Sequence, residues 1–379
     1  MIKHKAYKFR LYPNETQIIM FAKTFGSTRF IYNHFLNLWN QTYEETNKGL
    51  SYQSCSALLP KLKSETDTSF LKEVDAVALQ SALMDLNDAY KRFFNKQTKK
   101  PNFKSKANNT QSYKTKNTNN NLYIKDNYIK LPKIGFVKLR NSFNFDNKII
   151  NATISKTVTN KYYVSVLVSE NINPLPLTNN SIGIDLGLKD YVVLSNGVKI
   201  ESINIPKELI AKLIKEKRKL SKRALNAKNN GIKLMDAKNY QKQKLKVAKI
   251  YEYIRNRTND YTNKLSTNII KNHDIISIES LNVKSMLKNK YLAKSISDAA
   301  LSTFVRKLEY KANFYGKTVI KVNPYYPSTQ ICSSCGHIDG KKGLHIRNWK
   351  CSKCNASHDR DINASINILN EGLRILAVN

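Results

Sequence analysis

Two Cys-x2-Cys pairs, Cys332/Cys335 and Cys351/Cys354, stand fifteen residues apart towards the C-terminus. A tight turn under each pair aims two sulfurs at one point. Two such turns supply the four thiolates that zinc takes in a structural ribbon. One structural zinc ion is expected there, held by four of the five cysteines of the chain. Disulfides are the competing use. The N-terminus Met1-Ile2-Lys3-His4-Lys5-Ala6-Tyr7 is basic and lacks the apolar stretch of a secretory signal. Reduced thiols and a cytoplasmic setting are therefore expected. His337, His345 and His358 lie close by in sequence. Four thiolates already fill a zinc tetrahedron, so the histidines read as phosphate contacts or as groups behind the ligands.

The second kind of chemistry belongs to acids. His358-Asp359-Arg360-Asp361-Ile362-Asn363-Ala364 follows the last cysteine pair, and Asp361 opens an amphipathic run through Ile362, Ile366 and Leu369. Far upstream, Asp185 ends the apolar pattern Ile182-Gly183-Ile184, and Glu279 ends Ile275 to Ile278. One acid after one strand is usually a turn or a helix cap, and Asp185 before Gly187 fits that as well. The order strand-Asp, strand-Glu, helix-Asp points further. If the two strands are neighbours and the helix N-terminus abuts them, three carboxylates converge and repel unless cations neutralise them. Two Mg²⁺ or Mn²⁺ ions roughly 3.5–4 Å apart do so, activating water and stabilising the leaving oxygen of a phosphodiester. Asp185, Glu279 and Asp361 are therefore the candidate catalytic and magnesium-binding residues. Asp359 competes for the third place. Asp361 is preferred because it starts the helical run, with Asn363 and Ala364 packed behind it.

The elements that must position these groups can be followed along the chain. Tyr7, Phe9 and Leu11 alternate with Lys8 and Arg10, a half-buried strand. Pro13-Asn14-Glu15-Thr16-Gln17 resembles a capping box and opens helical periodicity that continues to about residue 98. Ile31, Phe35 and Leu38 share one stripe, and Leu79, Leu83, Leu86, Tyr90 and Phe93 another. His34 and Cys55 read as packed helix residues. Residues 99–121, rich in Lys, Asn and Ser, read as a loop or RNA-facing arm rather than core. Strands follow from 122 to 169, with turns at Asp126-Asn127 and Asn160-Lys161. Pro174 and Pro176 mark a linker. After the strands at 182–186 and 191–194 comes a long helical stretch from about Pro206 to Lys271, with a break at Asn229-Asn230-Gly231. Lys212, Lys215, Lys219, Lys222 and Arg223 recur along its first half and are candidate nucleic-acid contacts. A helix over 298–315 and a strand over 318–322 complete the pattern.

Composition sets the partner class. The 379 residues carry 64 Lys+Arg against 28 Asp+Glu, a formal charge of +36, with an ordinary hydrophobic content of 41%. Such a chain repels itself unless a polyanion neutralises it, and nucleic acid is the natural one. A membrane surface is the competing polyanion, but no stretch has the ~18 continuous apolar residues of a spanning helix.

Asp185, Glu279 and Asp361, with a four-cysteine ribbon just before the last, resemble the TnpB (OrfB) family of transposon-encoded RNA-guided nucleases, related to the type V CRISPR effectors. The likeness covers nearly the whole chain. Tyr7-Lys-Phe-Arg-Leu-Tyr-Pro13 and Phe25-Gly-Ser-Thr-Arg-Phe-Ile-Tyr-Asn33 resemble its N-terminal region, and Phe103-Lys-Ser-Lys106 its basic linker. Gly183-Ile-Asp-Leu-Gly-Leu-Lys-Asp190, Ile278-Glu-Ser-Leu281, Leu308-Glu-Tyr-Lys-Ala312 and Asp359-Arg-Asp-Ile-Asn-Ala364 resemble its catalytic blocks. Asn355 departs from the glycine that commonly follows the last cysteine, and Ser365 from alanine.

The resemblance implies α/β and β modules. A wedge-like β-barrel (1–12 and 122–176) would be interrupted by a helical recognition lobe and basic linker (13–121). A RuvC-like domain of RNase H fold (181–379) would follow, with the zinc ribbon inserted at about 328–356. It also implies a guide RNA derived from the transposon end, a double-stranded DNA target, no membrane, and a short transposon-adjacent motif read by the protein while guide pairing reads sequence. The expected function is that of an RNA-guided, divalent-metal-dependent DNA endonuclease. A catalytically silent guide-bound repressor, which should lack part of the acidic trio, and a DNA transposase are the alternatives.

Overall fold

The computed structural model describes residues 2–107, 110–140, 145, 147–281, 286, 288, 300–343 and 345–378. The chain divides into two compact units, Met1–Asn171 and Ile172–Asn379.

In the first unit, strand β1 (Ile2–Tyr12) leads into helix α1 (Glu15–Thr46). The capping box is present: the Asn14 side chain accepts from the Gln17 N–H, and the Gln17 side chain accepts from the Asn14 N–H. Helices α2 (Tyr52–Ser64) and α3 (Ala76–Phe94) follow. Then come β2 (Gln111–Lys116), β3 (Tyr123–Lys125), β4 (Tyr128–Leu131), β5 (Gly135–Arg140), β6 (Ile149–Lys156) and β7 (Tyr162–Asn171). The strands form one antiparallel sheet in the order β2-β6-β7-β1-β5-β4-β3. Alternation places Phe9, Leu11, Val137, Leu139, Ile154, Val164 and Val166 in one core, where Phe21 and Phe25 of α1 join them. A second core holds Ile31, Phe35, Trp39, Leu79, Leu83, Leu86, Tyr90 and Cys55. His34 stacks on Phe30 at 5.7 Å, and burial lowers its pKa.

Two expectations change here. Residues 111–116 are a strand, with Tyr113 and Thr115 buried. Their alternation is hidden between lysines, and the cross-strand ladder to β6 overrides it. The sheet also runs linearly from β2 to β3, without ladder closure among the described residues. Its two edges are joined by residues 117–122 alone, a span of at most about 25 Å. The sheet therefore curls, and among the described residues no ladder joins its two edges.

In the second unit, β8 (Ser181–Leu186), β9 (Asp190–Leu194), β10 (Lys199–Glu201), β11 (Ile275–Glu279) and β12 (Thr318–Val322) form a five-stranded sheet ordered β10-β9-β8-β11-β12. β9 is antiparallel to β8 and to β10, whereas β11 is parallel to β8 and β12. Helices α4 (Lys207–Asn229) and α5 (Lys238–Asn272) form the hairpin that the break predicts. Helix α6 (Leu301–Tyr315) begins later than the expected 298, and residues 298–299 lie outside the described residues. A two-stranded ribbon, β13 (Asn348–Lys350) with β14 (Ser357–Asp359), precedes helix α7 (Arg360–Val378).

Ile182, Ile184, Ile276 and Ile278 pack with Ile269 of α5 and with Phe304 and Leu308 of α6. The alternate positions, Gly183 and Ser277, meet α7. The sheet is thus covered on both faces, as parallel strands require. The start of β8 is anchored by Asp274, which accepts N–H groups from Thr178 and Asn179 and pairs with the buried Lys317. Lys317 holds the Asp274 carboxyl at about 2. Lys311, within a block resembling the family's catalytic motifs, is buried against α5. Its Nζ donates to the Asn263 carbonyl (2.7 Å), Ser266 (2.9 Å) and Thr267 (2.6 Å). Among the described residues no helix is long and apolar enough to cross a membrane.

Candidate functional site

Adjacent parallel strands bring the first two acids together. The register of β8 and β11 pairs Ser277 with Gly183 and Ile278 with Ile184, so its next step sets Glu279 beside Asp185. The third acid reaches them because α7 lies directly on this face. A Cβ on Gly183 would overlap the Ser365 carbonyl oxygen, and one on Gly372 would overlap the Ser277 hydroxyl. Only small residues allow this approach, and it brings the N-terminal turn of α7 to the carboxyl ends of the strands.

Electrostatics report the convergence. Burial, then the charges of Glu279 and Asp361, push the Asp185 carboxyl up to about 7; the Leu186 N–H and Arg360 oppose this. Burial also raises Glu279. The three acids do not form a closed ligand set. Among the described residues, the four ribbon cysteines are the only group of three or more His, Cys, Asp or Glu side chains whose ligand atoms all lie within 4.8 Å of one another. Asp361 instead accepts from Arg347 Nη1 at 3.0 Å, and Arg347 immediately precedes β13.

Asp359 has a different task. Its Oδ1 accepts the N–H groups of Asp361 and Ile362, both at 3.1 Å, and its Oδ2 pairs with Lys199 of β10 at 2.6 Å. It caps α7 and ties it to the sheet. Burial alone would raise its pKa, but Lys199 and the two N–H groups hold it below the ordinary value.

The four cysteines converge as their spacing predicts. Cys332 and Cys354 sulfurs are 3.6 Å apart, and those of Cys335 and Cys351 are 3.7 Å apart. A tetrahedral ion at Zn–S distances of about 2.3 Å requires sulfurs about 3.8 Å apart, so these residues fit zinc. The backbone N–H groups of Cys354 and Lys353 lower the Cys351 thiol, whereas, against the Ala356 N–H, the crowded sulfurs of Cys335, Cys332 and Cys351 raise that of Cys354. The two knuckles match. Gly336 and Asn355 both have left-handed backbone, φ 73° and 59°, and donate to the Cys332 and Cys351 carbonyls. Asparagine tolerates that conformation, which explains how it replaces the usual glycine. His358 Nε2 lies 3.0 Å from Cys332 Sγ, beside the ligand as expected, with its ring on Trp349. His337 contributes its backbone carbonyl to the Cys332 N–H.

On α4, Lys212, Lys215, Lys219 and Lys222 are exposed. Lys219 pairs with Glu216 at 3.2 Å. Arg223 is half-buried and donates to the Asn239 carbonyl at 2.8 Å, so it joins α4 to α5 rather than standing free. Arg347, Gly183 and Gly372 shape the site and were not singled out from the sequence, and Asp359, weighed there only as a ligand, serves as a cap. For Gly183 a signal existed, a glycine two residues before the acid and so on the same strand face. Arg347 gave none, since its pairing is made only in three dimensions.

Comparison with known proteins follows the same outline. The family OrfB_IS605, described as "Probable transposase", matches residues 163–290; its helix-turn-helix domain matches 1–48, and the Cas12f1-like TNB domain matches 302–368. In this structure residues 2–46 are strand β1 and the single helix α1. A Streptomyces pristinaespiralis protein named "Putative RNA-guided DNA endonuclease" is 33% identical over 97% of this chain and 89% of its own length. InsQ of Escherichia coli (strain K12), named in the same way, is 30% identical over 100% of this chain and 94% of its own. Among solved structures, the Cas12f1 chain of a cryo-EM complex with sgRNA and target DNA superposes with a TM-score of 0.59. It covers 97% of this chain and 99% of that one at 14% identity, a likeness of fold alone.

Proposed function

This chain belongs to the TnpB (OrfB) family, and on that premise we propose that it is an RNA-guided, divalent-metal-dependent DNA endonuclease cutting target DNA beside a short transposon-adjacent motif. The observation that carries the chemistry is that acids from β11 and α7 act on the buried acid of β8: burial, then the charges of Glu279 and Asp361, raise Asp185 to about 7.

Asp185, Glu279 and Asp361 would hold the divalent ions, Mg²⁺ or Mn²⁺, which supply the charge to activate water and stabilise the leaving oxygen. The carboxylates carry the negative charge that such ions need, and burial keeps bulk water from screening it. Arg347, beside Asp361, brings a guanidinium with planar donors suited to a phosphate. Asp359 and Lys199 hold the helix that presents Asp361. Cys332, Cys335, Cys351 and Cys354 would hold one zinc ion, whose chemistry is structural: four thiolates leave no open position.

The sheet of the second unit, with β9 antiparallel and β11 and β12 parallel to β8, supports a RuvC-like domain of RNase H type. The curled sheet and helices of the first unit support the wedge and recognition lobe. A guide RNA from the transposon end, a duplex DNA target and a cytoplasmic location complete the reading. The +36 charge suits such partners.

The test is to sequence the RNA that co-purifies with the protein and use it to programme cleavage of a plasmid carrying the matching target behind randomised flanking bases. Magnesium-dependent cutting confined to targets with one short flanking motif is expected. Strand joining with transposon-end DNA would favour a transposase, the activity for which the matching family is described. Guide-directed binding without any cutting would favour the repressor.

A further inference from the structure

Helix α7 is fixed on two sides. One side is seated on the sheet at Gly183 and Ser277. The other holds the segment that enters the zinc ribbon. Asn363 and Asn367, one turn apart and 1% and 3% exposed, direct their Nδ2 groups at the same two carbonyls. Asn363 Nδ2 donates to Ile331 (2.8 Å) and Ser328 (3.4 Å); Asn367 Nδ2 donates to Ile331 (2.7 Å) and Ser328 (2.8 Å). Asn363 Oδ1 accepts the Ser333 N–H at 2.9 Å. Ile331 and Ser333 flank Cys332, the first sulfur of the ribbon, and Ser328 lies four residues before it. Asp361 lies two residues before Asn363 on the same helix.

Simple packing does not call for amides here. Ala364 and Ile368, neighbours on α7, are fully buried as apolar groups. A buried amide is costly unless each donor and acceptor is met, and this pair meets a fixed pattern of carbonyls and one N–H. The pattern specifies how the helix sits against the ribbon, which hydrophobic contact alone leaves loose.

We propose that Asn363 and Asn367 are positioning residues that transmit the rigidity of the zinc ribbon to Asp361, so that the ribbon sets where the third carboxylate meets the divalent ions. The inference rests on the reading of Asp185, Glu279 and Asp361 as the metal-holding acids. The ribbon is then part of how the catalytic centre is assembled, acting through α7.

The experiment uses Asn363→Ala, Asn367→Ala and the double variant, each with its co-purified RNA. Zinc content, guide-directed target binding and the cleavage rate against Mg²⁺ concentration are measured together. One zinc per chain and unchanged target binding are expected, with a fall in the maximal cleavage rate approaching about 100-fold for a displacement near 1 Å. The Mg²⁺ concentration for half-maximal rate should rise. Each single variant keeps part of the shared clamp, so the singles decide the matter if the double fails to fold. Folded, zinc-loaded variants with wild-type rate and Mg²⁺ dependence overturn the proposal. So does activity lost in step with zinc while the remaining activity keeps its Mg²⁺ dependence, since that reports fold support alone. A wild-type protein that cuts nothing would sink the nuclease reading instead, a separate outcome.

Discussion

At the scale of single residues, Asp185 carries the sharpest consequence. Its carboxyl titrates at about 7 in the fold, through burial first and then Glu279 and Asp361. An unfolded aspartate titrates near ~3.9. Between these values the unfolded chain has lost a proton that the fold keeps, so this group makes stability fall as pH rises, levelling off above about 7. In magnesium-free buffer, the unfolding temperature of the wild type should therefore drop more from pH 5.5 to pH 8 than that of Asp185→Asn. Added Mg²⁺ should restore stability most at pH 8, where the carboxylate is ionised. Parallel pH profiles for the two proteins would remove Asp185 from this role. The neighbouring acids separate in the same way. Asp361→Ala should abolish cleavage with target binding intact. Asp359→Ala should lose a helix cap, roughly 1 kcal/mol of stability, and keep measurable cleavage. The reverse pattern in a cleavage assay would make Asp359 the third ligand.

Elements decide which charges work and which merely hold the fold. Arg223 bonds the Asn239 carbonyl across the α4–α5 hairpin, while Lys212, Lys215 and Lys222 face solvent. Reversing those three lysines to glutamate should weaken RNA binding strongly with little change in unfolding temperature. Arg223→Ala should do the opposite, lowering stability by about 1 kcal/mol for the lost hydrogen bond. Binding titrations paired with melting curves read both. The ribbon is an element whose core is small: Cys332, Cys351 and Trp349, with Lys342 over the indole at 3.6 Å. So little apolar area cannot hold it without metal. Cys351→Ser should release the zinc and unfold residues 332–354, seen as lost zinc in metal analysis and lost amide protection there. A native protein free of zinc would contradict the assignment.

For the whole molecule, the charge of +36 makes the partner part of the fold's stability. A ligand that binds only the folded chain raises its unfolding temperature. The co-purified RNA should therefore shift the melt upwards, and non-cognate RNA less. Binding should weaken steeply with salt, by about −0.9 in log–log slope per phosphate neutralised on duplex DNA. An unshifted melt, with non-cognate RNA competing equally, would reduce the charge to a general polyanion surface.

Local pattern and spacing were enough for much of this protein. The Asn14 capping box, the break between α4 and α5, the strands ending in Asp185 and Glu279, and the paired cysteines each depend on residues close in sequence, where periodicity and turn chemistry act directly. Residues 111–116 resisted such reading because their strand character comes from β6, some forty residues on, rather than from their own lysine-rich composition. The same holds for the site. That the charges of Glu279 and Asp361 would reach Asp185 was legible from the order of the acids along the chain; the partners each acid meets were not. Arg347 on Asp361, Asp359 as the cap lashed to Lys199, the glycine seats beneath α7 and the two asparagines gripping the ribbon all join segments far apart in sequence. Apart from Gly183, whose place two residues before the acid is a signal, such contacts leave no period behind. They exist only once the sheet, helix and ribbon have packed, because side-chain identity states what a residue can bond and the tertiary fold selects which partner it meets.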